Sequence, residues 1–471
     1  MTIKALFWRR PVSRLAAALT AAALVAAPLR AQRPDVAPPL TLAAALREAE
    51  TRAFTNRRAA AGSDAASARA RGALAGVLPH VRVEGGAVRT TDPIGAFGAL
   101  LRQRRVTPAA FDPAALNAPA PITTVQSAVV AELPLVNVDA WAGRRAAQAA
   151  AGASAADADW SASGVRLDVI RAYFGAVVAS AQVTVLEQAS LAAAAAVRQV
   201  ESMVREGMVT KADALQAGVR LAQLDAQLLG ASNDALSARE GLALLLGRTD
   251  GAVPAVPTTL PDAASVRALA AADTSAPVTS GALALRGDVR AAGDGVRAAD
   301  ADAARALGGL LPRLNSFARY DWFTPGTLFG GQKNWTVGVM ASWSAFGGGR
   351  ELADRQVALA GQRAAHAGLD AMRAQGAQEI ASARRGVVLA LRQLDLATRA
   401  AAQSREAYRL VEKRYAGGLA TIAERLGAES AATATALGET AALQQLVAAV
   451  ALHRRTTGRD AGALVALDQA R

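Results

Sequence analysis

Four stretches of the chain alternate between apolar and polar residues with a period of two, and most of the remainder carries a helical period. From Asn334 to Ser344, one face holds Trp335, Val337, Val339, Ala341 and Trp343, and the other holds Thr336, Gly338, Met340, Ser342 and Ser344. Such alternation predicts a strand with one apolar face. The stretch before it sets Leu314, Ser316, Ala318, Tyr320 and Trp322 against Arg313, Asn315, Arg319 and Asp321, with Phe317 the exception on the polar face. In the first half, Val125, Ser127, Val129, Ala131 and Leu133 alternate with Gln126 and Glu132, while Val81, Val83 and Ala87 oppose Arg82 and Glu84. The expected strands are about 81–90, 122–133, 313–323 and 334–345. Trp335 and Trp343, eight residues apart on one face, would stand about 26 Å apart along a strand. That suits an apolar band with an aromatic girdle at each edge, made by Tyr320, Trp322, Trp335 and Trp343. Amphipathic hairpins packed on a soluble core would show the same period.

The helical runs are long. No proline interrupts Asp139 to Arg205, enough for a rod of roughly 100 Å. Further on, Ala217, Leu221, Leu224, Leu228, Ala231, Ala235, Ala238, Leu242 and Leu245 keep a 4-3 spacing, the signature of a coiled-coil seam. The plan then repeats. Leu74-Ala75-Gly76-Val77-Leu78-Pro79 returns as Leu307-Gly308-Gly309-Leu310-Leu311-Pro312, and Gly207-Met208-Val209-Thr210-Lys211-Ala212-Asp213 returns as Gly418-Leu419-Ala420-Thr421-Ile422-Ala423-Glu424. Two structural repeats, about 40–247 and 283–458, are therefore expected, joined by a Pro-, Thr- and Ala-rich linker at 248–282.

Four strands cannot close a barrel around a water-filled lumen. An open sheet edge in lipid would leave backbone groups unpaired. If these strands span a membrane, several copies must share one barrel.

Composition narrows the chemistry. The chain is 52% apolar but 4% aromatic, so its core must come from Ala, Leu and Val, as close-packed helices allow. Eight of the 19 aromatic residues fall between Phe317 and Phe346, around one strand pair. The chain has no cysteine, which excludes disulfides, thiolate nucleophiles and Cys-based metal sites. His80, His366 and His453 lack the spacing of a metal-binding pair. No cofactor site is expected. Gly347-Gly348-Gly349-Arg350 lacks the Lys-Ser/Thr of a phosphate loop.

The formal charge of +13 is partly a targeting feature. Residues 1–31 read as a signal peptide: Lys4, Arg9, Arg10 and Arg14 precede the short apolar stretch Leu15 to Ala27, with cleavage expected after Ala31. Without the five basic residues of that segment, the 52 become 47 against 39 acids, or +8. These charges are scattered along helices without a basic-aromatic cluster, so nucleic acid is not expected as a partner. No later segment offers about twenty consecutive apolar residues.

In their order and duplication these motifs resemble the TolC family of outer membrane efflux proteins. The resemblance rests on Leu40-Thr41-Leu42-Ala43-Ala44-Ala45-Leu46, on Leu133-Pro134-Leu135-Val136, and on Val169-Ile170-Arg171-Ala172-Tyr173-Phe174. Trp343-Ser344-Ala345-Phe346-Gly347-Gly348-Gly349-Arg350 and the two glycine turns complete it. It covers essentially all of 32–471. It implies a mainly α protein with a transmembrane β part: coiled-coil hairpins forming a periplasmic α-barrel, and four strands per chain in a shared 12-stranded trimeric β-barrel. It further implies a passive exit duct of a tripartite efflux or type I secretion system, held in outer membrane lipid. Its partners would be a periplasmic adaptor and an inner-membrane pump of RND, ABC or MFS type.

By motif, Gly207, Met208, Gly418 and Leu419 fall at the adaptor-docking hairpin tips, and Asp213, Tyr415 and Glu424 at the periplasmic gate. Ala420 and Gly427 depart from the family's pattern, and a gate latch, if retained, would fall to Arg414 or Arg425. A periplasmic coiled-coil adaptor is the alternative, though adaptors carry one hairpin where this chain carries two. Asp213 and Glu424 would equally serve to cap helix starts.

Overall fold

The structure is a computed structural model that describes residues 39–275, 281–460 and 462–469. The expected signal peptide, 1–31, lies outside the described residues, as do 276–280 of the expected linker.

Helix α1 (Leu42–Arg52) begins at Thr41, whose hydroxyl accepts from the Ala44 N–H at 3.3 Å. Helix α2 (Phe54–Gly72) runs through a 3₁₀ turn to Pro79, where strand β1 (His80–Thr90) starts. Two short helices, α3 (Pro93–Arg102) and α4 (Pro113–Asn117), precede β2 (Ile122–Val136). The 68-residue α5 (Val138–Arg205) and the 35-residue α6 (Lys211–Leu245) form the first hairpin. The connection holds α7 (Ala263–Ser275) and α8 (Ala282–Leu285). The second half follows the same plan: α9 (Gly287–Gly308), β3 (Arg313–Thr324), β4 (Gln332–Ser342), the 67-residue α10 (Arg350–Ala416) and the 35-residue α11 (Ile422–Thr456). Helix α12 (Gly462–Gln469) ends the described chain.

The main core lies where the two hairpins meet α1 and α7. Val169, Tyr173 and Val177 of α5 pack with Leu242, Leu394, Leu446 and Val450. Val256, Val266 and Ala270 join them, so the 248–282 connection supplies a packed core helix as well as a tether. Asp468 pins the ends of the fold together, accepting from the Leu42 N–H at 2.7 Å and lying 2.8 Å from the Tyr173 hydroxyl. Elsewhere on α5, the Trp160 ring is held between the guanidinium groups of Arg286 (4.6 Å) and Arg455 (4.0 Å).

Further along the hairpin every position of the 4-3 seam in α6 is buried or half-buried, and Leu224 meets Leu186 and Ala193 of α5. Segments of α5 and α11 are long and apolar enough to cross a membrane by length and composition alone, although neither holds twenty consecutive apolar residues. Half of the α5 segment is buried in protein, which accounts for its apolarity without lipid.

The four strands form one antiparallel sheet in the order β1-β2-β3-β4. One face carries Val81, Val83, Val129, Ala131, Tyr320, Trp335 and Val337, in register across the sheet. Phe317 breaks the alternation because it stands opposite Gly338, and its ring covers the bare backbone there. Strand β4 stops at Ser342, so Trp343 lies just beyond the ladder, where its Nε1 donates to the Leu310 carbonyl at 3.1 Å. At Pro134 the β2 ladder shifts register, since proline has no N–H to give it.

Candidate pore wall and hairpin tips

The polar face of the sheet is a network of paired charges. Arg319 donates to Asp321 at 2.8 Å on its own strand and to Glu84 at 3.0 Å on β1, two strands away. That side chain crosses over β2, and Ala128 and Val130 are buried on the face it crosses. Arg82 donates to Glu132 at 2.7 Å, and Gln126 to Asp321 at 3.2 Å. The opposite face is apolar and exposed: Trp335 is 71% accessible and Val337 62%. Tyr320 and Trp322 meet edge to face at 4.7 Å on that side. The β3–β4 turn folds onto the apolar face as well. Its Phe329 N–H donates to Ser127 Oγ at 3.0 Å, and its ring packs against Trp322.

Away from the sheet, the two hairpin turns between α5 and α6 and between α10 and α11 are built alike. The Gly207 N–H donates to the Val204 carbonyl and the Met208 N–H to Met203; the Gly418 N–H donates to Tyr415 and the Leu419 N–H to Arg414. Both glycines adopt positive φ, +75° and +70°, as this helix-ending motif requires. Each following helix opens with a capping box. Asp213 Oδ2 accepts from the Thr210 N–H at 2.9 Å, and Glu424 Oε2 accepts from the Thr421 N–H at 2.9 Å. The threonine hydroxyls return the bond to the Asp213 and Glu424 N–H groups. Both carboxylates assigned to a gate thus cap helix starts within the single chain. Met208 and Leu419 stay exposed at the tips.

Tyr415, half-buried, takes the Arg425 guanidinium over its ring at 5.5 Å. Arg425 is buried and lies 3.5 Å from Glu412. Arg414 donates to the Leu419 carbonyl at 3.1 Å, closing the turn on itself. One feature gave no signal in the sequence: Arg220 of α6 and Glu429 of α11 face each other, both buried, at 3.9 Å between the two hairpins. Burial is the largest influence on Glu429 and raises its pKa above the ordinary carboxylate range, against the pull of Arg220 and Arg425. The two residues lie more than 200 positions apart, so no local pattern joins them.

A duplicated pair of long helical hairpins ending in one amphipathic antiparallel sheet defines an outer-membrane channel subunit. The outer membrane efflux protein family matches residues 45–248 and 278–458, and the chain belongs to that family. A comparison with curated proteins finds no match. Among solved structures, the chain is similar to a membrane protein from Pseudomonas aeruginosa, with 21% identity, 88% of this chain and 93% of that chain covered, and a TM-score of 0.75. It is similar to the Campylobacter jejuni CmeC outer membrane channel, with 15% identity, 88% and 85% covered, and a TM-score of 0.75. The Neisseria gonorrhoeae MtrE outer membrane channel in its open state gives 18% identity, 89% of each chain covered, and a TM-score of 0.71. The protein is an outer-membrane exit duct of a tripartite efflux system, with a periplasmic helical extension, and not an enzyme.

Proposed function

We propose that three copies close a single twelve-stranded barrel, β4 of each pairing with β1 of the next. The observation that carries this reading is the sheet itself. It is four strands wide, apolar on one face, and both its edges are unpaired among the described residues. Lipid does not tolerate such edges, and four strands are too few to close. The apolar face then meets outer membrane lipid, with Tyr320, Trp322, Trp335 and Trp343 near its margins, and the charged face lines the lumen. A periplasmic adaptor meets the tips through Met208 and Leu419, beside the turns at Gly207 and Gly418. An inner-membrane pump of RND, ABC or MFS type supplies the energy. In outer-membrane extracts run unheated in mild detergent, the chain is expected at three times its monomer mass and to collapse to monomer on boiling. A monomer under both conditions would count against the shared barrel.

Within that assembly, Asp213, Tyr415 and Glu424 stand at the periplasmic opening. Carboxylates ringed about a narrow lumen favour cations. Because Glu424 also caps α11, Glu424→Ala would mix two effects, whereas glutamine keeps the capping box and removes the charge. Glu424→Gln is expected to weaken cation preference in single-channel recordings while leaving trimer stability unchanged. Identical selectivity in the two proteins would remove Glu424 from the pore lining.

A further inference from the structure

Residues 91–121 belong to neither the sheet nor the hairpins, yet α3 within them is fixed at both ends. The Asp92 N–H donates to Thr90 Oγ1 at the end of β1 (2.9 Å), and the Asp92 carboxylate accepts from the Gly95 N–H at 2.6 Å, starting the helix. At its far end Gln103, buried, donates to the Thr123 carbonyl (3.0 Å) and to Thr124 Oγ1 (2.9 Å) on β2. The Arg102 guanidinium lies over the Phe323 ring of β3 at 5.3 Å. Thr124 and Phe323 share the face of Gln126, Arg319 and Asp321, the charged one. Helix α3 therefore crosses three strand ends on the polar side of the sheet.

Its faces divide sharply. Ala96, Ala99 and Gln103, at helical spacing, are buried. Ile94 and Leu101 project from the opposite side, 85% and 52% exposed, with Gly98 between them. An edge-to-face contact of Phe97 with Phe111 (5.6 Å) ties the following segment to the helix. Arg102, Arg104 and Arg105 lie exposed around its C-terminal end.

We infer that α3 is a crossbar narrowing the extracellular mouth of the pore, its Ile94–Leu101 stripe turned to the axis against the same stripe of the other two copies. The inference rests on the trimeric duct proposed above, in which the charged face is the lumen wall. The β1–β2 and β3–β4 connections lie at the strand ends remote from α5 and α10, which places α3 at the exit. Two strongly exposed aliphatic side chains on a helix pinned over a polar wall are otherwise unaccounted for. Meeting at a three-fold axis, they form an apolar constriction that resists wetting. The three arginines beside it make the exit electropositive, so anionic cargo leaves more readily than cationic cargo.

The native chain has no cysteine, so Leu101→Cys gives each copy a single thiol. Full-length trimers in planar bilayers are treated from the extracellular side with a charged, membrane-impermeant thiol reagent. Stepwise loss of current is expected for Leu101→Cys, with none for the wild type or for Leu328→Cys, a β3–β4 turn residue that lies beside Gly85 on the apolar face. Removing the stripe with Ile94→Gly and Leu101→Gly together is expected to raise single-channel conductance. The crossbar is overturned if the thiol at position 101 stays unreactive. Complete modification, verified by mass spectrometry, with no change in current overturns it equally. A wild-type protein that forms neither trimers nor channels would instead remove the duct reading beneath it.

Discussion

Thr210 and Thr421 do the same work at equivalent points of the two halves. Each accepts a bond from the third residue of its helix while that residue's carboxylate caps the threonine N–H. Removing such a cap costs about 1 kcal/mol, so Thr421→Ala is expected to loosen the second tip, seen as faster hydrogen exchange at 422–425 with the rest of α11 unchanged. Glu429 behaves differently, because its burial holds its pKa above the unfolded value. The folded chain therefore binds the proton more tightly than the unfolded one. The resulting stabilisation is complete below the unfolded pKa and is lost as pH rises through the folded one. Glu429→Gln imitates the protonated form. It is expected to raise the thermal midpoint near neutral pH relative to wild type and to flatten the loss of stability above the acid range. A variant whose midpoint follows the wild-type pH profile would show that Glu429 is not the responsible group.

Among the elements, the hairpins hold together through small and aliphatic residues. Leu224 of the α5–α6 seam is fully buried against Leu186 and Ala193. Leu224→Ala is expected to cost about 2–5 kcal/mol, read as increased proteolysis of the first hairpin with the sheet intact. The seam was legible in the sequence because its 4-3 spacing reports directly which side of a helix is covered. The strands were legible for the same reason, their period of two separating Val337 from Thr336. Element ends were less so: Trp343 continues the alternation of β4, but the ladder stops at Ser342. The α7 helix, set in a Pro- and Thr-rich connection, reads locally as a tether and is recruited by the core around Val266. Helix α3 takes its place over the sheet from anchors that no local pattern reveals, since Thr124 and Phe323 lie on two different strands.

At the scale of the whole molecule, the duct depends on a surface that water alone would not favour. Val337 sits in the apolar face, on the edge strand β4 and opposite Ala318 of β3. Placing a cation there costs about 2–4 kcal/mol near the bilayer midplane. Val337→Arg is expected to reduce the yield of heat-resistant trimer from outer membranes, while Thr336→Arg, on the lumen face, is expected to leave the yield intact and change ion selectivity. Equal yields for the two would argue against the assignment of faces. The same asymmetry explains why charged side chains in the middle of the polar face come in pairs: Arg319 with Glu84 and Asp321, Arg82 with Glu132. Pairing keeps Asp321, the buried member of these pairs, from being left alone.

The sequence by itself determined the long alanine-rich helices, the four amphipathic strands, the duplicated plan and the turns that close each hairpin. All of these follow from local periodicity, capping and backbone freedom, which a short window of chain expresses completely. Only the tertiary structure decided that Glu429 faces Arg220, that Arg319 spans β2 to reach Glu84, and that α3 lies across the polar side of the sheet. Those contacts join residues far apart in the chain, and their energies depend on burial and distance, which no local pattern encodes.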